Sequence, residues 1–441
     1  MKKKSMSSSV SGFSKRSKAE KIAWITQNHF DQPQTAEALL TTYWHPDAGR
    51  QEKHDEFIEN TLSNFYLPLG VAPNFLINGK YYTLPMVIEE SSVVAAAGKS
   101  AKYWANKGGF HTQILGTEKV GQVHFLCPEK PAIVKEFFDS IKSQLLQDCA
   151  PIVARMEKRG GGLLSLKLID KTLAMADYYQ LHATFDTRDA MGANFINSVL
   201  EQLADTLLQT SKSYTGFSQL EKPIEIVMSI LSNYVPNCVA RAEVRCSIEQ
   251  LEPEEGLDTY AFAQKMIQAV AIAEAEPYRA VTHNKGIMNG VDAVVLATGN
   301  DFRAIEAGIH AYAARDGQYR SLSKAFIENN DFVFRLDLPL AIGTVGGLTQ
   351  LHPMVQWNLE LLGHPSAKEL MQIIAVAGLA QNFAAVRSLV TSGIQKGHMK
   401  MHLLNILNQL GANPYQKEKA IVHFKTHKVS HAAVQDFLNS L

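Results

Sequence analysis

Five places in this 441-residue chain carry side chains whose type and setting suit chemistry. Lys285 lies in HNKGIMNGVDAVVLATGND, residues 283–301, between Asn284 and Gly286. A lysine there is either a solvated turn residue or a cation that stabilises an oxyanion, forms a Schiff base or binds phosphate. The chain has no GxxxxGK motif followed by Ser or Thr, which argues against a P-loop. Asp301 ends the same stretch where a helix N-cap is expected, a role that contributes about 1 kcal/mol. A carboxylate there could equally hold a lysine in its charged state. Glu90 falls where a strand gives way to a helix, as a capping group or as part of a site. RDAMGANFIN, residues 188–197, opens a helix with the small residues Ala190, Gly192 and Ala193. Free N–H groups and the helix dipole suit an anion such as a dinucleotide pyrophosphate, and a tightly packed helix start explains the same residues. No GxGxxG stands in a useful place, so a Rossmann reading fails. His398, in GIQKGHMKMH, is structural or solvent-facing, or is a proton donor near neutral pH carried by a lid.

The elements around these residues read as follows. Residues 18–66 are mostly helical, after a Lys- and Ser-rich start expected to be a disordered tail over 1–20. Asn78-Gly79 between apolar alternations signals a hairpin whose second strand ends at Glu89-Glu90. The run from Val93 predicts a helix with serine, Ser91 or Ser92, at its cap. From about 121 to 231 the order is strand, helix, strand, strand, helix, strand, the split βαβ or ferredoxin-like unit. Its second helix, expected over Asp189–Leu208, carries Leu200, Leu203 and Leu207 on one face. Val239–Ile248 reads as a strand and Tyr260–Ala275 as a helix. Val291–Ala297, a short apolar run bounded by glycines, reads as a buried strand, followed by a helix from Phe302. That strand would hold Lys285 and Asp301 at opposite ends unless the turn folds back or a second chain supplies the partner. Asp331–Leu340 predicts a strand, Lys368–Val390 a long apolar helix, and the last 40 or so residues short amphipathic helices.

Composition sets the class. At 46% hydrophobic and 20% charged the chain has ample core for a soluble globular protein. Lys+Arg and Asp+Glu both number 43, so no basic field argues for nucleic acid. No uninterrupted apolar run approaches the roughly 18 residues a membrane span needs. The four cysteines lack CxxC spacing and suit reduced thiols in a cytoplasmic protein rather than a disulfide framework or a zinc site.

Several segments, in one order along residues 55 to 405, resemble hydroxymethylglutaryl-CoA reductase in its bacterial, class II form. They are ENTLSNFYLPLGVAPNFLINGKYYTLPMVIEESSVVAAA, RDAMGAN, PYRAVTHNKGIMNGVDAVVLATGNDFRAIEAGIHAYA, GTVGG and GLAQNFAAVRSLVTSGIQKGHM. The resemblance implies an α+β fold: a large, mostly helical substrate domain over 21–117 and 232–392, an inserted ferredoxin-like dinucleotide domain over 118–231, and a C-terminal helical flap over 393–441. It implies four catalytic residues, Glu90, Lys285, Asp301 and His398. Arg279 matches the family's substrate-carboxylate arginine. Ser92, Asn289, Asn233 and Asn382 match further pocket positions. The dinucleotide motif matches Asp189, Ala190, Met191, Gly192, Ala193 and Asn194. Two departures stand out. Ser91 replaces the proline usual after the catalytic glutamate. The register in which NAD-preferring members carry an aspartate falls on Val153, followed by Ala154 and Arg155, which favours NADPH over NADH.

The implied reaction reduces hydroxymethylglutaryl-CoA with two hydrides, through a hemithioacetal and mevaldehyde, to mevalonate and coenzyme A. Lys285 would stabilise the oxyanion, Asp301 would keep Lys285 cationic, His398 would protonate the thiolate and Glu90 would protonate the aldehyde oxygen. No metal is implied. A homodimer is, with residues of both chains in one site. The rival readings are NAD-dependent oxidation of mevalonate in a catabolic pathway and a non-catalytic protein that binds an acyl-CoA or a dinucleotide.

Overall fold

A computed structural model describes residues 9–217, 223–253, 257–391, 403–424 and 426–441. The chain divides into two compact units at Pro68. Among its described residues the first holds three α-helices, α1 (Lys18–His29), α2 (Pro33–Thr42) and α3 (Ala48–Asp55). Helix α1 starts inside the stretch expected to be disordered because Ser17 and Glu20 form a reciprocal capping box. Lys18 pairs with Asp55 at 2.7 Å, which ties α1 to α3.

In the second unit the expected hairpin forms from β1 (Leu69–Ile77) and β2 (Lys80–Val87). Asn78 (φ 46°) and Gly79 (φ 83°) supply the positive dihedrals that its two-residue turn requires. Strand β2 ends at Val87, three residues before Glu90. Helix α4 (Val93–Ala105) follows, but Ser92 does not cap it. Its backbone is left-handed (φ 78°) and its hydroxyl accepts no bond from the helix.

The expected βαββαβ order is present: β3 (His111–Ile114) precedes it, then β4 (Lys119–Leu126), α5 (Pro131–Glu157), β5 (Gly162–Asp170), β6 (Tyr178–Asp186), α6 (Ala193–Ser211) and β7 (Glu225–Ser232). The strands form one antiparallel sheet in the order β5-β6-β4-β7. Helices α5 and α6 bury Phe137, Leu145, Leu200 and Leu203 against Val123, Leu181 and Phe185 in a core of their own. Helix α6 begins at Ala193, so Asp189–Gly192 form a turn before it, not its first turn.

A second antiparallel sheet has the order β3-β8-β10-β9, from β8 (Val239–Ser247), β9 (Ser323–Glu328) and β10 (Asp331–Pro339). Around it pack α7 (Thr259–Ala275), α8 (Pro277–Ala297), α9 (Phe302–Ala313) and, after the short α10 (Leu348–Leu351) and α11 (Pro353–Leu361), the long α12 (Ala367–Val390). Helix α12 is long and apolar enough to cross a bilayer, at mean hydropathy 1.6, although polar residues interrupt its apolar run. It is instead a core helix, packed on α8, α4, α7 and β8.

The expected strand at Val291–Ala297 is the last two turns of α8. The misreading has a physical cause. Met288, Val291, Ala293, Val294, Val295 and Ala297 are all buried, so no polar face marks the helical period. Gly290 is there for close packing and not for a turn. A Cβ at 290 would stand 2.3 Å from the Ala377 carbonyl oxygen of α12.

Beyond Leu403 the chain forms a separate apolar cluster, Leu403, Leu407, Phe424 and Val434, with helices at Pro414–His423 and His431–Asn439.

Candidate active site

Glu90 and Ser92 ahead of α4, the first turns of α4 and the facing turns of α8 and α12 enclose a cavity of about 420 Å³. Six of the sequence-predicted residues line it: Glu90, Ser92, Arg279, Lys285, Asn289 and Asn382. On α8, Lys285 and Asn289 are four residues apart and share a face. Lys285 is therefore a helical residue, not a turn residue. Its Nζ donates to Glu90 Oε2 at 2.7 Å, across 195 positions of sequence. Their side chains are 60% and 37% exposed. Such a pair contributes about 0–1 kcal/mol to stability. Holding the fold together does not explain it, and a cation beside a carboxylate at a cavity mouth suits catalysis.

Asp301 lies elsewhere. It caps α9, its Oδ1 accepting from the backbone N–H groups of Arg303 (3.0 Å) and Ala304 (3.2 Å), and its Oδ2 pairs with Arg303 at 2.8 Å. The helical rise from Lys285 to Ala297 alone is about 18 Å, at about 1.5 Å per residue. The two residues thus do not meet within one chain. Asn233 is also outside the cavity; its carbonyl abuts α9, where a Cβ at Gly308 would stand 2.6 Å away. His398 lies outside the described residues.

Buried polar groups back the cavity. His283 Nε2 is 2.7 Å from Ser323 Oγ, and Ser323 Oγ donates to Asn382 Oδ1 at 2.8 Å. Burial, helped by the neighbouring Arg279 charge, pushes the His283 pKa down to about 3. Burial also lowers the pKa of Arg279 from the ordinary guanidinium value. Sequence reasoning missed His283, Ser323 and Gln381 as site residues. The one usable signal was spacing, since His283 is four residues from Arg279 on one helix.

The turn at Asp189–Asn194 is firmly held. Lys119, only 5% exposed, donates to Thr187 Oγ1 (2.5 Å) and to the carbonyls of Ala190 (2.7 Å) and Met191 (3.0 Å). Asp189 Oδ1 accepts from Ala367 N at 2.8 Å. Gly192 is left-handed at φ 96°, and a Cβ there would clash with Thr187 at 2.4 Å. The packed-helix-start reading therefore accounts for the Asp189 carboxylate. No side chain caps α6 at Gly192, so no side-chain acceptor takes up its first N–H groups, which an anion could use.

The sequence pattern of the family described as hydroxymethylglutaryl-coenzyme A reductase matches residues 17–403. The chain belongs to this reductase family. It is 35% identical over 423 residues to the 3-hydroxy-3-methylglutaryl-coenzyme A reductase of Archaeoglobus fulgidus, covering 95% of this chain and 91% of that protein. The class II reductase of Streptococcus pneumoniae, solved bound to NADPH in open conformations, superposes with a TM-score of 0.70 at 37% identity, over 87% of this chain and all of that one. A second Streptococcus pneumoniae reductase structure covers 98% of this chain with a TM-score of 0.71 at 35% identity. The chain is accordingly a class II reductase and an oxidoreductase, and the α+β fold implied by the resemblance is the one observed.

Proposed function

We propose that the enzyme reduces hydroxymethylglutaryl-CoA to mevalonate and coenzyme A with two equivalents of NADPH, in the biosynthetic direction. The observation that carries this reading is Lys285 paired with Glu90 at the mouth of a cavity that also holds Arg279, Ser92, Asn289 and Asn382. Arg279 would hold the substrate carboxylate. The first reduction leaves negative charge on the thioester oxygen, and the Lys285 ammonium stabilises it in place. Collapse of the hemithioacetal expels the coenzyme A thiolate, which His398 protonates. The second reduction leaves charge on the mevaldehyde oxygen, and Glu90, within reach of Lys285, delivers the proton. Asp301 would keep Lys285 cationic from a second copy of the chain, since within one chain α8 separates them.

The dinucleotide fits the α6 N-terminus, with Asp189–Asn194 along its pyrophosphate, and supplies the hydrides when bound. NADPH is favoured because Val153 is buried in the core of the small sheet and cannot read a ribose hydroxyl. Arg155, which follows it, is exposed and basic. Steady-state reduction of hydroxymethylglutaryl-CoA with NADPH and NADH side by side tests the proposal. Preferential use of NADPH supports it. A large NADH preference, with faster mevalonate oxidation than thioester reduction, would overturn both cofactor and direction.

A further inference from the structure

We propose that His283 and Ser323 are positioning residues that fix the side-chain amide of Asn382 as a hydrogen-bond donor at the wall of the acyl cavity. The inference rests on the function proposed above and extends it to residues behind the substrate.

The three side chains come from α8, the start of β9 and α12, and are 2%, 0% and 1% exposed. They form one chain of bonds, His283 Nε2 to Ser323 Oγ at 2.7 Å and Ser323 Oγ to Asn382 Oδ1 at 2.8 Å. A hydroxyl has a single proton to donate. Ser323 spends it on Asn382 Oδ1, so it must accept from His283 Nε2–H. Ser321 does not alter this, because its own hydroxyl donates to the Ser323 carbonyl at 2.8 Å. The tautomer is thereby fixed, with a proton on Nε2 and none on Nδ1. The amide of Asn382 is fixed as well, oxygen toward Ser323 and nitrogen away from it.

Two atoms are left over. His283 Nδ1 and Asn382 Nδ2 are buried and have no hydrogen-bond partner among the described residues. Both residues line the cavity. Buried polar groups are nearly always paired, and an unpaired one calls for an explanation, a functional role among them. The hydroxymethylglutaryl thioester bears carbonyl and hydroxyl oxygens that accept from an amide N–H, and a hydroxyl proton that a bare imidazole nitrogen accepts. Neutrality of the ring is secured by burial and by Arg279, which hold its pKa near 3. The pair therefore holds one neutral donor and one neutral acceptor in the wall of the cavity that Lys285 also lines.

The test combines kinetics with a spectroscopic readout. Ser323→Ala should raise KM for hydroxymethylglutaryl-CoA about tenfold, with kcat within about twofold and KM for the dinucleotide unchanged, the pattern of lost uniform binding. Adding Ser323→Ala to Asn382→Ala should cause no further loss, because Ser323 acts through Asn382. Equal rises in both KM values, or additive losses in the double variant, would overturn the relay. If Ser323→Ala fails to fold, nitrogen NMR of the wild-type histidines decides: His283 should keep a proton on Nε2 and none on Nδ1 from about pH 5 to about pH 8. A proton on Nδ1 in that range would overturn the relay even in an active enzyme. Loss of wild-type turnover with hydroxymethylglutaryl-CoA would sink the functional reading alone, since the tautomer is read without substrate.

Discussion

Lys285 Nζ and Glu90 Oε2 stand 2.7 Å apart although 195 residues separate them in sequence, and the pair is open to solvent. An exposed pair of this kind does little for stability, so removing the cation should separate function from folding. Lys285→Ala is expected to lower kcat for hydroxymethylglutaryl-CoA by about 10²–10³-fold, the scale of a lost oxyanion partner. Thermal unfolding should shift by no more than an exposed pair is worth, about 0–1 kcal/mol. A variant that keeps near-wild-type turnover would remove Lys285 from the catalytic groups.

Gly290 makes the opposite prediction. A Cβ there would meet the Ala377 carbonyl oxygen at 2.3 Å and the Ala377 carbonyl carbon at 2.8 Å. The obstacle is backbone of α12 and cannot swing aside. Gly290→Ala should therefore part α8 from α12 and cost about 1–3 kcal/mol, the scale of an overpacked core, despite the better helix propensity of alanine. Urea unfolding measures it, and an unchanged or raised midpoint would show that the two helices do not need this contact.

Asp292 sets a pH dependence. Burial, then its hydrogen bond with Glu306 and the charge of that carboxylate, push the Asp292 pKa up to about 8. On the same side of α9, His310 lies 3.7 Å from Glu306 and 2.7 Å from the Tyr319 hydroxyl. In the unfolded chain an aspartate loses its proton near 3.9. Between that value and about 8 the folded state binds more protons, so stability falls as pH rises through this window. Asp292→Asn can still bond Glu306 without carrying charge. Its urea midpoint should stay flatter than that of the wild type between about pH 5 and about pH 8. Parallel pH slopes for the two proteins would rule out Asp292 as the source.

Much of the fold was legible because it is written locally. The Asn78-Gly79 turn and the six elements of the small sheet announce themselves through turn chemistry and alternation. Helix α8 was not legible, because burial on all sides erases its period. Serine ahead of α4 satisfied the capping rule by type, but Ser92 takes a left-handed backbone that withholds its hydroxyl. For the site, composition left Lys285, Glu90 and Asp301 open between structural and catalytic roles. The family resemblance grouped them, and the fold brings Lys285 to Glu90. His283 opens the Lys285 stretch but its type alone assigns it no role, and Ser323 carries no motif; their bond exists only once α8 and β9 have packed.

The separation of Lys285 from Asp301 yields the sharpest test of assembly. If each site takes Lys285 from one copy and Asp301 from its partner, Lys285→Ala and Asp301→Asn should each be inactive alone. Unfolded together and refolded, they should complement. In a mixed dimer one site collects both substitutions and the other collects neither, so random assembly should restore about a quarter of wild-type turnover. If both residues served the same site within one chain, every site in the mixture would carry a substitution and no activity would return. Size-exclusion chromatography of the refolded mixture shows whether dimers have formed. Dimers without recovered turnover would place Asp301 outside its partner's site.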